Sequence, residues 1–269
     1  MVKAVFDNLT SKEPKKGFTV GITDDVTNTS LTVDHTWNIK HDKRFECMFY
    51  GLGSDGTVGA NKNSIKIIGD DTENYAQGYF VYDSKKAGAI TVSHLRFGPT
   101  LIQSPYLCTK TDFVACHNFS FLEKYDMLSN ARKGSVFLLA SPYSADETWN
   151  HMPDEIEQQI IDKKIKFYVI DAIKLAADLG LGSRINTIMQ TCFFAISGVV
   201  PPDIAIDALK KAVRKTYGRK GEEVVQKNFQ AIDASIASMH KVKVPSRPAG
   251  KIRMPPTVPE DAPEFVKNI

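Results

Sequence analysis

The sequence predicts an α/β fold: a three-layer domain with a mixed, mostly parallel sheet, followed by C-terminal helices and an extended proline-rich tail. From Phe45 onward, short apolar runs alternate with stretches of helical periodicity, which is the pattern of layered α/β domains. A glycine-dense turn follows the first apolar run, where such a domain passes from a strand to a helix. After Asn186 the pattern is helical, and six prolines follow Val244.

Six apolar runs predict the strands of the sheet, and the stretches between and after them predict helices. The strands are expected at 45–52, 78–82, 90–95, 112–116, 135–140 and 166–170. The helices are expected at 58–68, 120–128, 153–163, 172–179, 204–217 and 221–240. Only residues 83–89 separate the second and third strands, which is too short for a helical crossover and indicates an antiparallel pair. The sheet is therefore expected to be mixed.

Three segments of different character divide the chain. Residues 1–43 lack a long periodic pattern, apart from a strand-like run at 18–22, and are interpreted as the tail of a preceding domain or a linker. Residues 44–243 are interpreted as the main domain. Residues 244–269 are too rich in proline to build a core and are interpreted as an extended linker.

The composition is that of a folded protein, with 42% hydrophobic and 24% charged residues. The sequence contains no apolar run of about twenty residues and no leader with an apolar core, so neither a membrane location nor secretion is expected. Free buried cysteines suit the reducing cytoplasm. The net charge of +3 is small, and the basic residues from Lys210 to Lys220 have acidic neighbours, so nucleic acid is not an expected partner.

The segment Phe49–Lys62 is the most informative part of the chain. Its apolar run ends in a turn that contains Gly53, Gly56 and Gly59, and a helical stretch follows. Glycine permits unusual backbone torsions and close approach to a ligand, and the first turn of a helix offers N–H groups to phosphate. The spacing fits neither the P-loop nor, cleanly, the dinucleotide-binding fingerprint. On the pattern alone, a ligand-binding loop and a plain tight turn both remain open.

Further motifs follow in the order found in one known family. They lie at Gly21–Thr27, Ser93–Pro99, Asp112–Asn118, Lys166–Ala172 and Asn186–Thr191. With the glycine-rich turn, they make nearly the whole chain closely resemble the middle of the single-chain pyruvate:ferredoxin (or flavodoxin) oxidoreductases. The resembled region is the tail of the second domain and the third domain, which is equivalent to the gamma subunit of multi-subunit 2-oxoacid:ferredoxin oxidoreductases. The resemblance also implies that residues 244–269 lead toward a ferredoxin-like domain.

The resemblance implies an activity for the whole enzyme, which would be a cytoplasmic homodimer. That enzyme decarboxylates pyruvate on thiamine diphosphate with Mg²⁺, passes electrons through [4Fe–4S] clusters to ferredoxin or flavodoxin, and releases acetyl-coenzyme A. The third domain covers the active site and helps to hold coenzyme A. The residues expected to contact the coenzyme are Gly53, Ser54, Asp55, Gly56, Thr57 and Lys62.

The chain itself is expected to hold only part of this machinery. It has no Gly-Asp-Gly motif for thiamine diphosphate and Mg²⁺, and its four cysteines are scattered, so neither that cofactor nor a cluster is expected to bind it. No catalytic residue is expected, and the chain alone is expected to be inactive. Two alternatives remain: a non-catalytic domain that braces the same complex, and an independent nucleotide-binding domain.

Four more polar residues are candidates for a site or an interface. His94 and Arg96 alternate along a strand and share one face, so they would meet a neighbouring domain or an anionic ligand, or else belong to an interior network. Asn186 and Gln190 are spaced to line a cleft from one helix, although Asn186 could instead cap that helix.

The adjacent pair Cys116-His117 resembles a nucleophile and its base at first sight. Neighbouring residues of a strand point to opposite faces, so the two side chains cannot readily form that hydrogen bond. The pair also lacks the further ligands of a zinc site. No thiol-dependent or metal-dependent chemistry is therefore expected of it.

Overall fold

The computed structural model describes residues 1–23, 26–35, 37, 39, 43–83, 88–256 and 258–267. The chain divides into two compact units, residues 1–42 and 43–269. The first unit contains helix α1 (Val2–Leu9) and a parallel pair of short strands, β1 (Thr19–Val20) and β2 (Ser30–Leu31). β1 lies in the predicted strand-like run, whereas α1 was not predicted. Asp24 and Asp25 of the Gly21–Thr27 motif lie outside the described residues.

Helix α1 carries an exposed apolar stripe. Val2, Phe6 and Leu9 recur at the spacing of one helical face, and they are 72%, 64% and 63% exposed. Ala4 is the buried residue of this helix. The stripe is the kind of surface with which a helix packs on a neighbouring core.

The second unit is built on a seven-stranded sheet in the order β4-β5-β3-β6-β7-β8-β9. Its strands are β3 (Phe45–Leu52), β4 (Tyr75–Tyr82), β5 (Ile90–Gly98), β6 (Thr111–Cys116), β7 (Ala131–Ala140), β8 (Lys166–Ile170) and β9 (His240–Lys241). All six predicted strands are present, and the two-residue β9 is additional. β4 and β5 form the predicted antiparallel pair, although Ser84–Ala87 of their link lie outside the described residues.

The sheet is mixed, but its parallel share is smaller than predicted. β3, β6, β7 and β8 are joined by three parallel pairings, while β5 runs antiparallel to both β3 and β4, and β9 runs antiparallel to β8. Within this sheet, the described residues form three parallel and three antiparallel pairings. The difference arises at the two edges of the sheet. At one edge the short link between β4 and β5 reverses the chain, and at the other β9 returns antiparallel to β8 after the long connection from residue 171 to residue 239.

Seven helices accompany the sheet in the second unit. They are α2 (Thr57–Asp71), α3 (Asp154–Asp162), α4 (Ala172–Asp178), α5 (Asn186–Ser197), α6 (Pro202–Tyr217), α7 (Glu222–Ser238) and α8 (Glu264–Lys267). The helix predicted at 120–128 is wrong, because the segment forms a short 3₁₀ turn, Phe119–Glu123, that Asn118 caps. Its apolar residues are all buried and would point around most of an α-helix, so no single helical face could cover them: Phe121, Leu122, Met127 and Leu128.

Two hydrophobic clusters cover the two faces of the sheet. Alternate residues of β3 separate them, since Phe49 packs with α2 and α4–α7 whereas Met48 packs with α3. Phe193 of α5 is the centre of the first cluster and makes edge contacts with Phe49 and Phe113, at ring-centroid distances of 5.1 and 5.0 Å. The domain therefore has the predicted three layers, with the sheet in the middle.

The tail folds back onto the domain over residues 241–254, here called the strap. Backbone N–H groups of Ala249, Gly250 and Met254 donate to the carboxylates of Glu157, Asp154 and Glu155 in turn, all on the first turn of α3. The Asp154 N–H donates to the Ile252 carbonyl at 2.8 Å. The strap is thus extended but held against the main domain; its course toward a further domain stays a prediction.

Glu157 makes the attachment of the strap sensitive to pH. Its side chain is fully buried, and burial raises its pKa from 4.5 to about 7. The folded state therefore prefers the protonated form, so the contribution of Glu157 to stability is full below pH 4.5 and is lost as the pH rises through about 7. We expect the free energy of unfolding of the wild type, relative to Glu157→Gln, to fall by about 2–3 kcal/mol between pH 5 and pH 8. Urea unfolding of both proteins at the two pH values measures this difference, and a constant difference would contradict it.

Candidate functional site

The glycine-rich turn joins β3 to α2 and has a strained backbone that only a few residues permit. Gly56 has a φ of 92° and Ser54 a φ of 75°, both in the left-handed region. A Cβ on Gly56 would lie 3.2 Å from the Asn186 side chain, and one on Gly51 would lie 2.6 Å from the Thr57 hydroxyl. The turn therefore needs glycine at both positions, because the chain passes close to neighbouring side chains.

Asp55 holds the turn in shape. One carboxylate oxygen accepts from the Leu52 N–H at 2.8 Å and from the Thr57 hydroxyl at 2.8 Å, and the other accepts from the Thr57 N–H at 2.7 Å. Hydrogen bonds to a carboxylate are stronger than those between neutral groups. The side chain expected to contact a coenzyme thus already makes three bonds within its own turn.

His117 joins this arrangement from the end of β6. Its Nδ1 lies 2.8 Å from the Thr57 hydroxyl, whose single proton is donated to Asp55, so Nδ1–H is the donor to Thr57. Burial lowers the pKa of His117 to about 4, against a smaller opposing effect of Asp55, and the ring is neutral at physiological pH. Its Nε2 is buried and has no partner among the described residues.

Three pockets border the turn in the described part of the chain. The largest, the strand-end pocket, has a volume of about 470 Å³ and lies where β3, β6, β7 and β8 end. The edge pocket, about 380 Å³, lies between the turn and the ends of β4 and β5. The helix cleft, about 250 Å³, lies between α2, α5 and α6. Ligands of open α/β sheets bind outside the carboxyl ends of parallel strands, which is the position of the strand-end pocket.

The strand-end pocket combines apolar walls with a few polar groups. Ser54, Asp55 and His117 line it, with Arg184 as the one Lys or Arg among the described lining residues. Asp171, also in the lining, caps α4 by accepting the Lys174 N–H at 3.0 Å. Such a pocket offers hydroxyl and carboxylate acceptors to an N–H-bearing ligand and a guanidinium to an anionic one.

Lys62 is an exposed residue of α2. Its Nζ lies 5.3 Å from the centre of the Phe80 ring, a cation–π contact with β4. It lines none of the three pockets among the described residues. The predicted contact between Lys62 and a phosphate stays a prediction.

Asn186 and Gln190 both line the helix cleft. Gln190 Nε2 donates to the Ala60 carbonyl at 3.0 Å and to the Ser64 hydroxyl at 2.9 Å, which ties α5 to α2. Asn186 makes no side-chain cap, since Ile185 is the N-cap of α5. Its side chain packs against Gly56 instead.

His94 and Arg96 lie in the interior, toward the opposite end of β3. Arg96 is 1% exposed, and its Nε donates to Glu46 Oε1 at 2.8 Å. Arg132 joins the same network, with Nη2 donating to Glu46 Oε2 at 3.1 Å and Nη1 to Asp112 Oδ2 at 2.8 Å. His94 Nδ1 accepts the Cys108 N–H, and burial, followed by the Arg96 charge, lowers the pKa of His94 to about 4. The interior-network interpretation fits this burial, and a role for either residue at a site or interface gains no support from it.

His117 and Arg184 line the strand-end pocket but are not among the site residues that the sequence predicts. A signal existed for His117, because β3 and β6 are parallel neighbours and the polar residues after both strands must meet at one edge of the sheet. Arg184 lies in the loop between α4 and α5, and no local pattern marks it. Within the described ranges, no three His, Cys, Asp or Glu side chains are grouped to hold a metal ion, and no helix is long and apolar enough to span a membrane.

Comparison with protein families decides the assignment. The model of the pyruvate ferredoxin/flavodoxin oxidoreductase family matches residues 46–238. The chain belongs to this family. The pyruvate-flavodoxin oxidoreductase of Rhodospirillum rubrum is 54% identical over 269 residues, which is 100% of this chain and 22% of that protein. The chain therefore spans about a fifth of the length of the curated oxidoreductases it matches.

Solved structures with the same fold come from related oxidoreductases. Pyruvate oxidoreductase subunit PORC from Thermotoga maritima aligns with a TM-score of 0.59 at 18% identity, over 75% of this chain and 99% of that one. The gamma subunit of the keto/oxoacid ferredoxin oxidoreductase from Geobacter sulfurreducens aligns with a TM-score of 0.51 at 18% identity, over 73% of this chain and 99% of that subunit. The 2-oxoglutarate:ferredoxin oxidoreductase from Magnetococcus marinus aligns with a TM-score of 0.56 at 16% identity, over 73% of this chain and 31% of that one. Its structure was solved with 2-oxoglutarate, coenzyme A and succinyl-CoA bound. The second unit therefore has the fold of a family subunit.

Proposed function

We propose that the chain is one domain of a pyruvate:ferredoxin or pyruvate:flavodoxin oxidoreductase, in which it covers the active site and supplies part of the coenzyme A site. Membership of the family and the fold of a separate subunit support this proposal. The exposed apolar stripe of α1 fits contact with a neighbouring domain. Its proposed partners are the remaining domains of a homodimeric cytoplasmic enzyme, coenzyme A, and ferredoxin or flavodoxin as electron acceptor.

The strand-end pocket is the observation that carries the proposal. It lies at the carboxyl ends of four neighbouring parallel strands, beside a turn whose shape Asp55, Thr57 and His117 fix. A related oxidoreductase with this fold holds coenzyme A. Coenzyme A carries phosphates, an amide-bearing arm and a thiol. The pocket offers a guanidinium to bind the phosphates and hydrogen-bond acceptors for the amides of the arm.

The residues present do not fit an iron–sulfur cluster. The four cysteines lie in separate elements, and burial raises the pKa of the Cys116 and Cys192 thiols to about 12, which opposes the thiolate form that an iron–sulfur cluster requires. The clusters are therefore proposed to bind other domains of the enzyme, as are thiamine diphosphate and Mg²⁺, for which this chain has no Gly-Asp-Gly motif. There they supply the decarboxylation and the one-electron steps.

The proposed contribution of this chain is to position the coenzyme. Arg184 would fix an anionic group at the pocket, while Ser54 and the two aspartates would accept hydrogen bonds from the arm. The apolar walls exclude water from the volume that the ligand occupies. Fixing a thiol beside its reaction partner can supply a large part of a rate enhancement without any bond made by the protein.

Arg184→Gln tests this assignment in the full-length enzyme. Loss of a charge-assisted hydrogen bond costs about 1.5–3 kcal/mol, so we expect the KM for coenzyme A to rise roughly ten- to a hundredfold. Steady-state rates at varied coenzyme A and saturating pyruvate measure it. Lys66→Gln, an exposed lysine on the outer side of α2, is the matched control.

Lys62→Gln separates the two candidate anion contacts. A raised KM in Lys62→Gln with an unchanged value in Arg184→Gln would favour the contact predicted from the sequence over the strand-end pocket. Unchanged values in both variants would favour the alternative in which the domain only braces its neighbours. An independent nucleotide-binding domain would instead bind adenosine diphosphate as tightly as coenzyme A.

A further inference from the structure

The positive charge of the chain is concentrated in the strap. Residues 241–254 contain five Lys or Arg and no Asp or Glu, and the whole chain has a net charge of +3. Subtracting those five charges leaves −2 for the remainder. The cations are Lys241, Lys243, Arg247, Lys251 and Arg253, and all five are exposed.

The strap presents these charges on a fixed backbone. β9 pairs with β8, and the Val242 N–H continues the pairing by donating to the Phe167 carbonyl at 2.9 Å. Farther along, three amides of the strap are held by carboxylates of α3. A surface whose backbone is already ordered loses less conformational entropy when a partner binds.

Side-chain alternation directs the charges outward. Val242, Val244 and Met254 pack against the core cluster that also contains α3, and the basic residues lie between or beside them on the exposed side. Three carboxylates at the start of α3 accept hydrogen bonds from strap amides, and no ion pair joins a strap cation to a described carboxylate. Lys251 is near enough to Glu157 to lower its pKa slightly.

Protection of a sheet edge explains only part of this pattern. Charged residues on edge strands prevent unwanted strand pairing. Because β9 is an edge strand, this role can account for Lys241 and Lys243. Arg247, Lys251 and Arg253 lie beyond β9, where there is no sheet edge to protect. Their side chains call for a different explanation.

We infer that the strap is a docking surface for an acidic protein, the small electron-carrier protein that the whole enzyme reduces. This inference rests on the proposed function, which supplies a soluble protein partner. Clustered cations of this kind steer an acidic protein into contact and speed association by about 10–10³-fold at low salt. A protein is favoured over nucleic acid because the remainder of the chain is net negative, which would repel a long polyanion.

Charge reversal in the full-length enzyme tests the inference. Arg247→Glu/Arg253→Glu is the test pair, and Lys211→Glu/Lys215→Glu, two exposed residues on α6, is the control pair with the same change in charge. The kcat/KM for purified ferredoxin is measured against ionic strength, and the rate with methyl viologen reports electron delivery without protein docking. We expect the test pair to lose about tenfold in kcat/KM at low salt, to approach the wild type at high salt, and to keep the methyl viologen rate.

Several results would overturn the inference. One is an unchanged kcat/KM in the test pair at low salt, and another is an equal loss in the control pair. An equal loss of the methyl viologen rate would indicate damage to the enzyme and not to docking. In that case Arg247→Gln/Arg253→Gln is the deciding variant, and normal carrier reduction by it at low salt would reject the strap as a docking surface. Strap-dependent binding of a DNA duplex with normal carrier reduction would assign the surface to nucleic acid. Failure of the wild type to reduce any carrier would instead remove the proposed function itself.

Discussion

Glu46→Ala is expected to lower the free energy of unfolding by about 3–5 kcal/mol. Glu46 is the carboxylate that neutralises Arg96, whose side chain is 1% exposed, and removing it leaves a buried guanidinium without a counter-charge. Arg132 would lose a partner as well, although it keeps Asp112. Urea unfolding at pH 7 measures the change.

Two further variants separate the charge from the packing. Arg132→Ala removes a half-buried member of the same network and should cost about 1 kcal/mol or less, because its side chain is 33% exposed. Glu46→Met/Arg96→Met should recover most of the lost stability, since an apolar pair replaces a buried ion pair at little cost. A loss below about 1 kcal/mol in Glu46→Ala would mean that Arg96 is not desolvated as the structure describes it.

Gly51→Ala is expected to damage the site from within the sheet. The added Cβ would lie 2.6–2.9 Å from three atoms of Thr57, which is buried and bonded to both Asp55 and His117. Thr57 cannot move without breaking one of these bonds, so the turn must shift. Overpacking of this kind costs about 1–3 kcal/mol of stability. Misplacing the turn by about an ångström is expected to lower kcat/KM for coenzyme A on the order of a hundredfold in the full-length enzyme.

Gly59→Ala is the matched control for this prediction. A Cβ on Gly59 would meet nothing within 4 Å, and the residue lies inside α2, where alanine is favoured over glycine by about 1 kcal/mol. We therefore expect it to be as stable as the wild type or more so, by urea unfolding. Equal stability and equal kinetics of Gly51→Ala and the wild type would contradict the packing of Thr57 against β3.

The sequence predicted the layered fold because its strands are apolar and well separated. The runs at 45–52 and 166–170 match β3 and β8 at both ends, and the short link after β4 correctly indicated a reversal. Local patterns could not predict β9, whose two residues carry no periodicity, or the attachment of the strap, where Ala249 bonds to a residue 92 positions earlier. Contacts between segments so distant in sequence depend on the assembled fold.

Some residues of the candidate site follow from local sequence patterns, whereas others depend on contacts between distant segments. The turn and the cleft residues Asn186 and Gln190 each follow from local spacing, and the structure brings both to the start of α2. His117 reaches the turn only because β3 and β6 are neighbours. The family resemblance implies that Asp55 contacts a ligand, whereas its three hydrogen bonds within the turn are visible only in three dimensions.

Hydrogen exchange of the full-length oxidoreductase, with and without saturating coenzyme A, tests the central claim most directly. We expect slower amide exchange on addition of the coenzyme at residues 52–60, 117–119 and 183–186, which surround the strand-end pocket. The strap lines none of the three pockets that border the turn among the described residues, so its exchange should be unchanged. Unchanged exchange in all three segments, while coenzyme A slows exchange elsewhere in the enzyme, would place its site outside this chain.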